Sequence, residues 1–190
     1  KLGASYKSPQ FFNAFDFENN YLDGSTAPNV KFTMNYPAIY SVGIGYSKKL
    51  IDLAVDYRMV NYENTEGFEK YGWTPTASVA GFGWKNISIL SAGLQYKGLE
   101  KFPLRVGYTY SSNPIKPELA FFSTPATAVI KHAFQFGFGY AMNEKFTINA
   151  TYHHGTSGGS TTGMLMSPMM IGEGNPLGQI PGSAVSYKMS

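Results

Sequence analysis

Between Val30 and Tyr46 the chain alternates with a period of two. Val30, Phe32, Met34, Tyr36, Ala38, Tyr40, Val42, Ile44 and Tyr46 are apolar or aromatic, while Lys31, Thr33, Asn35, Pro37, Ile39, Ser41, Gly43 and Gly45 are mostly polar or tiny. Successive side chains of a strand point to opposite faces. The stretch therefore predicts one long strand, with one face toward hydrocarbon or a core and the other toward water or close-packed small groups. The pattern recurs in seven other places. Five copies share the run apolar, Gly, apolar, any, Tyr: Leu2 to Tyr6, Val42 to Tyr46, Ala92 to Tyr96, Val106 to Tyr110 and Phe136 to Tyr140. Looser copies end at Tyr57 and Tyr152, and a second strand near Phe11 to Phe17 alternates least clearly. A repeated supersecondary unit is implied. Long stripes of period 3.6 are almost absent, and Gly or Pro interrupts every few residues, so the chain reads as all-β.

The connections alternate in length. Short ones are predicted at Lys7 to Gln10, Ser47 to Lys49, Gly98 to Lys101 and Met142 to Lys145. Long ones, rich in Gly, Pro, Ser, Thr and Asn, run over Glu18 to Asn29, Asn61 to Lys85, Ser112 to Ala128 and Gly155 to Ala184. Tight turns at one end and long loops at the other describe an antiparallel up-and-down transmembrane β-barrel. In that orientation Tyr6, Tyr46, Tyr96 and Tyr140 end strands running toward the short turns, and Tyr110 and Tyr152 approach the long loops. These are two interfacial belts. The inward face carries Asp52, Asp56, Arg58, Gln95, Lys97, Arg105, Gln135, Asn149, Thr151 and His153, a polar lumen, in which Asp56 and Arg58 are expected to form an ion pair bracing the wall.

Composition agrees. Of 190 residues 14 are Phe and 14 are Tyr, and only 14% are charged, against about 25% in ordinary soluble domains. The net charge of +3 comes without a basic run, which argues against a nucleic-acid partner. No stretch approaches the roughly 18 to 20 consecutive apolar residues of a membrane-spanning helix, and mean hydropathy is -0.18. The absence of Cys removes disulfides, thiolate metal sites and Cys nucleophiles.

The opening LGASYKS, the segment YPAIYSVGIGYSKKLIDLAVDYRMVNYEN (Tyr36 to Asn64), WKNISILSAGLQYK (Trp84 to Lys97), PLRVGYTYSSNPI (Pro103 to Ile115) and HAFQFGFGYAMNEKFTINATY (His132 to Tyr152) together resemble the FadL/TodX family of outer-membrane transporters for long-chain fatty acids and other hydrophobic compounds. The resemblance implies a 14-stranded barrel with an N-terminal hatch in a Gram-negative outer membrane. It also implies ligand capture by apolar external loops, transfer to a pocket inside the barrel, and release by a hatch movement with lateral escape. Eight full strands and the start of a ninth near Ser183 to Ser190 are predicted, the first running toward the periplasm. The chain 1–190 is then expected to be the C-terminal part of one barrel domain, without the hatch and first strands, and unable to insert stably alone. The implied partners are fatty acids or hydrocarbons, outer-membrane lipid, lipopolysaccharide and the barrel assembly machinery, with a monomeric barrel.

No cofactor, metal site or enzyme activity is expected. His153 and His154 are strand neighbours facing opposite ways and cannot easily share a metal, and no spacing singles out an accessible Ser beside an oriented His. Asp52 and Asp56 lie roughly 13 Å apart along a strand, too far for a carboxylate pair. The run Gly155 to Gly163 lacks the Lys of a phosphate loop. Candidate ligand-binding residues are Trp73, Phe82, Trp84, Phe121, Phe122, Met164, Met166, Met169 and Met170 in the long loops. Exposed apolar groups of this kind form a landing site, or else they fold inward to cap the barrel mouth. Both readings stand at this point. The alternatives to transport are a membrane-embedded lipid hydrolase, a structural or adhesin barrel without cargo, and a soluble carbohydrate-binding sandwich.

Overall fold

The computed structural model describes residues 1–21, 23–127 and 129–189. Among these residues eleven strands form: β1 (Leu2–Lys7), β2 (Phe15–Asn20), β3 (Thr26–Phe32), β4 (Ile39–Lys48), β5 (Ile51–Val60), β6 (Ile87–Tyr96), β7 (Leu104–Ser111), β8 (His132–Asn143), β9 (Phe146–Thr156), β10 (Thr161–Gly163) and β11 (Val185–Tyr187). Seven of them make one antiparallel sheet in the order β1-β4-β5-β6-β7-β8-β9, and β2-β3 and β10-β11 are separate two-stranded hairpins. The strands β4, β5 and β6 each have 10 residues, the length that crosses a bilayer when tilted by about 45°.

Register divides the sheet into two faces. Across one row Ile44 pairs with Val55, Val55 with Ala92, Ala92 with Tyr108 and Tyr108 with Phe134. The next row holds Tyr46, Leu53, Leu94, Val106, Phe136 and Tyr152. These side chains stand in the open, with Ile44 57% and Tyr152 64% exposed. A soluble sheet would hide this face. A barrel wall presents it to lipid.

The opposite face carries Asp56, Arg58, Gln95, Arg105, Gln135 and Asn149 by the same alternation, and hydrogen bonds link several of them into a ladder near the short turns. Lys97 Nζ donates to Asp52 at 2.7 Å, Gln95 Nε2 to Asp52 at 3.2 Å, Arg105 Nε to Gln95 at 2.6 Å and Arg105 Nη1 to Asn149 at 2.9 Å. Arg105 reaches from β7 across β8 to β9 because its neighbours on β8 in that path are Gly137 and Gly139. The expected Asp56–Arg58 brace does not form. Positions two apart on one strand face stand nearly 7 Å apart, and the Asp56 carboxylate instead turns over Gly43 on β4. Lys97–Asp52 is the ion pair among the described residues.

Several sequence expectations need correction. The alternation from Val30 to Tyr46 spans two strands, because Pro37, which has no N–H, and the buried Asn35 interrupt pairing between β3 and β4. Residues Phe11 to Phe17 are not a wall strand: β2 pairs with β3 in a hairpin. Accordingly Lys7 to Gln10 is not a turn between wall strands but the start of a long loop, 8–38. β1 pairs directly with β4, Leu2 opposite Ile44 and Lys7 opposite Ile39, so β1 runs toward the long-loop end, opposite to the expected direction. Tyr6 therefore joins the belt at the long loops, where its ring meets that of Tyr40 at 5.1 Å. Tyr46, Tyr96 and Tyr140 stay near the short turns. The wall holds seven strands rather than eight, and β11 in the predicted ninth pairs with β10 and not with β9. Ser190, at the end of that prediction, lies outside the described residues, as do Leu22 and Ala128 of two predicted loops. The segregation of connections persists, with 49–50, 97–103 and 144–145 at one end and 8–38, 61–86 and 112–131 at the other.

A charge placed on the lipid face should cost more than one placed on the lumen face. Val55→Arg, mid-strand and outward, is expected to destabilise the folded barrel by about 2–4 kcal/mol, and Ser91→Arg, inward on the neighbouring strand, by less than about 1 kcal/mol. Urea titration of the full-length protein in lipid vesicles measures both.

Candidate functional site at the long-loop end

The closely packed part of the molecule is not in the sheet. Its largest fully buried side chains, Phe122, Pro37 and Ser123, all belong to loops. The loop 112–131 contains a 3-10 helix, Pro117–Ala126, with Leu119, Ala120, Phe122 and Ser123 buried. Pro at its first position suits a helix start, where no N–H partner is needed.

Two apolar cores form around this helix. Leu119, Phe122 and Met166 pack together with Trp73, Val79, Phe121 and Leu177 against them. The Trp73 indole N–H donates to the Leu177 carbonyl at 2.9 Å, fastening the loop 61–86 to the segment after β9. On the other side Ile115, Ala120 and Val129 gather Trp84, Val185 and Tyr187. Trp84 also belongs to an aromatic cluster: its ring centroid lies 5.0 Å from Phe68, 5.1 Å from Tyr62 and 5.8 Å from Phe82. Its indole N–H donates to the buried Ser123 hydroxyl at 2.8 Å. Gly83, at φ +65, lets Phe82 and Trp84 turn into this cluster, since a Cβ there would meet Leu119 and Tyr71. Burial, and then the neighbouring Tyr36 phenol, raises the Tyr62 phenol above its ordinary pKa.

Between these cores and the β2-β3 hairpin lies a cavity of about 530 Å³, within the range of small-molecule pockets. One wall is Val79, Phe82, Phe121, Phe122 and Pro125, and the other is Phe17, Val30 and Phe32 from the hairpin. Among the described residues the polar lining is Asn19, Ser78 and Thr124, with no charged side chain. The hairpin sorts its residues to suit: Phe15 opposes Phe32 and Phe17 opposes Val30 on one face, while Asp16 opposes Lys31 on the other.

The nine sequence candidates separate in space. Phe82, Phe121 and Phe122 line the cavity, Trp73 and Met166 pack behind it, and Trp84 stands in the aromatic cluster. Met164, Met169 and Met170 are elsewhere and exposed, Met169 by 93%. Phe122 and Met166 are buried among the loops, and Phe82, Phe121 and Phe122 stand on the cavity wall. Sequence reasoning passed over Phe17, Val30, Phe32, Val79 and Pro125. The aromatic density of FFNAFDF (Phe11 to Phe17) was the available signal, and its assignment to the wall concealed it. The histidines are otherwise engaged: His132 Nδ1 lies 2.7 Å from the Tyr108 hydroxyl and His153 Nδ1 lies 3.3 Å from Gln135 Nε2, while His154 faces outward opposite Phe134.

No protein-family model and no curated protein sequence matches the chain. Among solved structures the chain is similar to a deltaS2S3 mutant of the TodX monoaromatic hydrocarbon channel, with 17% identity and a TM-score of 0.51 over 87% of this chain and 41% of that one. It is also similar to the CymD monoaromatic hydrocarbon channel, with 14% identity and a TM-score of 0.52 over 82% of this chain and 42% of that one. The fold is that of a transmembrane β-barrel, open in this chain. At such identities the likeness speaks for architecture alone, and the chain spans about two fifths of the length of the structures it matches.

Trp84→Phe keeps the ring but leaves the Ser123 hydroxyl buried without its donor. The cap should lose roughly 1–3 kcal/mol of local stability. Amide hydrogen exchange of 117–126 should speed accordingly, with exchange in β5 and β6 unchanged.

Proposed function

We propose that the chain is an arc of a larger outer-membrane β-barrel that passively admits uncharged hydrophobic compounds, and that the loop-end cavity is where such a compound first binds. The observation that carries this reading is the chemistry of the cavity: aromatic and aliphatic on both sides, without a charged side chain, above a wall whose outer face is apolar. Removing apolar surface from water supplies about 25 cal/mol per Å², so a hydrocarbon gains on entering. A fatty-acid carboxylate would have to leave water for a site that offers it no cation. The structurally similar TodX and CymD channels are named for monoaromatic hydrocarbons, which supports hydrocarbon cargo over long-chain fatty acids. The reading needs no covalent chemistry and places the protein in the outer membrane of a Gram-negative bacterium.

The test is a binding comparison on the full-length protein in mild detergent. Toluene should saturate a site that palmitate occupies more weakly. Phe121→Asp, which sets a carboxylate on the cavity wall, should weaken toluene binding at least about tenfold, or 1.4 kcal/mol. Toluene binding that Phe121→Asp leaves unchanged would sink the assignment of this cavity.

A further inference from the structure

The β2-β3 hairpin is joined to the rest of the molecule in an uneven way. Its base is pinned. Gln10 and Tyr36 exchange backbone hydrogen bonds of 3.1 and 2.9 Å, and the Phe12 N–H donates to the Asn35 side-chain oxygen at 2.9 Å. Asn35, itself only 8% exposed, donates from its backbone to the Glu66 carbonyl at 3.1 Å and from its side chain to the Glu66 carboxylate at 3.2 Å. Beyond this base, residues 13–14 and 33–34 are in neither strand. The two strands then project over the cavity, closed at the tip by Asp23 and Ser25, whose N–H and hydroxyl both donate to the Asp23 carboxylate.

The arm has an apolar face, yet that face is not packed. Phe15 and Phe17 remain 53% and 50% exposed. Its ring contact with the body is Phe32 against Phe82, edge to face at 6.2 Å. A two-stranded hairpin is marginal by itself and gains stability when its apolar face is covered. Here the surface opposite is the far wall of the cavity, with open space between them. Whatever fills that space touches both walls at once.

We propose that the hairpin is a lid, hinged at 13–14 and 33–34, that closes on an uncharged hydrophobic molecule in the cavity. This rests on the cavity being the binding site proposed above and adds how the site retains its ligand. Of the charged side chains on the two strands, Asp16 and Lys31 pair on the face turned away from the cavity and Glu18 is not part of its lining, so closure sets none of them against the ligand. An uncharged ligand follows for the same reason: a charged one would be enclosed without a partner. Closing the lid over a bound molecule removes apolar surface on arm and ligand together, so the closed arrangement is favoured when the cavity is filled.

The test uses the full-length protein in mild detergent with spin labels at Ser25→Cys, on the arm tip, and Glu118→Cys, at the exposed start of the opposite helix. Calorimetry follows toluene binding to the same sample. Saturating toluene should shorten the distance between labels by several Å and narrow its distribution. If toluene binds and the distribution does not move, the lid is wrong and the binding site stands. If toluene does not bind at all, the site and the lid fall together.

Discussion

Hydrocarbon offers the peptide backbone no hydrogen-bond partner, and the form of this molecule follows from that. Each unpaired N–H or C=O in the bilayer costs several kcal/mol, so the chain crosses only where it can pair with the next crossing. Antiparallel ladders from β4 to β9 result, with a register shift between Ala141 and Asn143 next to the β8–β9 turn. Period-two alternation then divides the side chains, apolar toward lipid and polar toward the lumen, and every irregular segment is displaced to the two ends.

That division reverses the usual relation between sheet and core. In a soluble sandwich the apolar faces of sheets pack on each other. Here lipid takes that place, and Val55 or Phe136 needs no protein partner. Among the described residues the largest fully buried side chains, Phe122 and Ser123 with Pro37, lie in the loops. Loops that fold on their own apolar residues rather than on the sheet can enclose space between their units, and the cavity between the hairpin and the 3-10 helix is such a space. The lumen is held differently, by the Asp52, Gln95, Arg105 and Asn149 ladder, with Gly137 and Gly139 giving room for the long guanidinium reach.

Sequence alone disclosed the wall well and the cap poorly, for one physical reason. Where a strand lies between lipid and lumen, each residue's face is dictated by period two, so VGIGY, AGLQY, VGYTY and FGFGY report their orientation directly. Above the membrane that rule lapses. Phe15, Phe17, Val30 and Phe32 also alternate, but they do so on a hairpin over a cavity, and nothing in a periodic pattern tells one sheet from another. Pairing of β1 with β4 is non-local, so Ser8 and Pro9 look like an ordinary turn. Among the methionines, Met166 is buried and Met169 is bare, three residues apart in an irregular segment where spacing carries no facial information.

Strand direction constrains what can complete this wall. The edge strands β1 and β9 both run toward the long-loop end, so they cannot join each other as antiparallel neighbours. An antiparallel ring containing this arc holds an odd number of further strands between those edges. A second copy of the arc in the same orientation would add seven strands, but it would bring β9 of one copy beside β1 of the other, both pointing the same way, at two parallel seams. An inverted copy would restore antiparallel pairing only by placing its long loops at the opposite membrane surface. Antiparallel neighbours at both edges must run from the long loops toward the short turns, because β1 and β9 both run the other way.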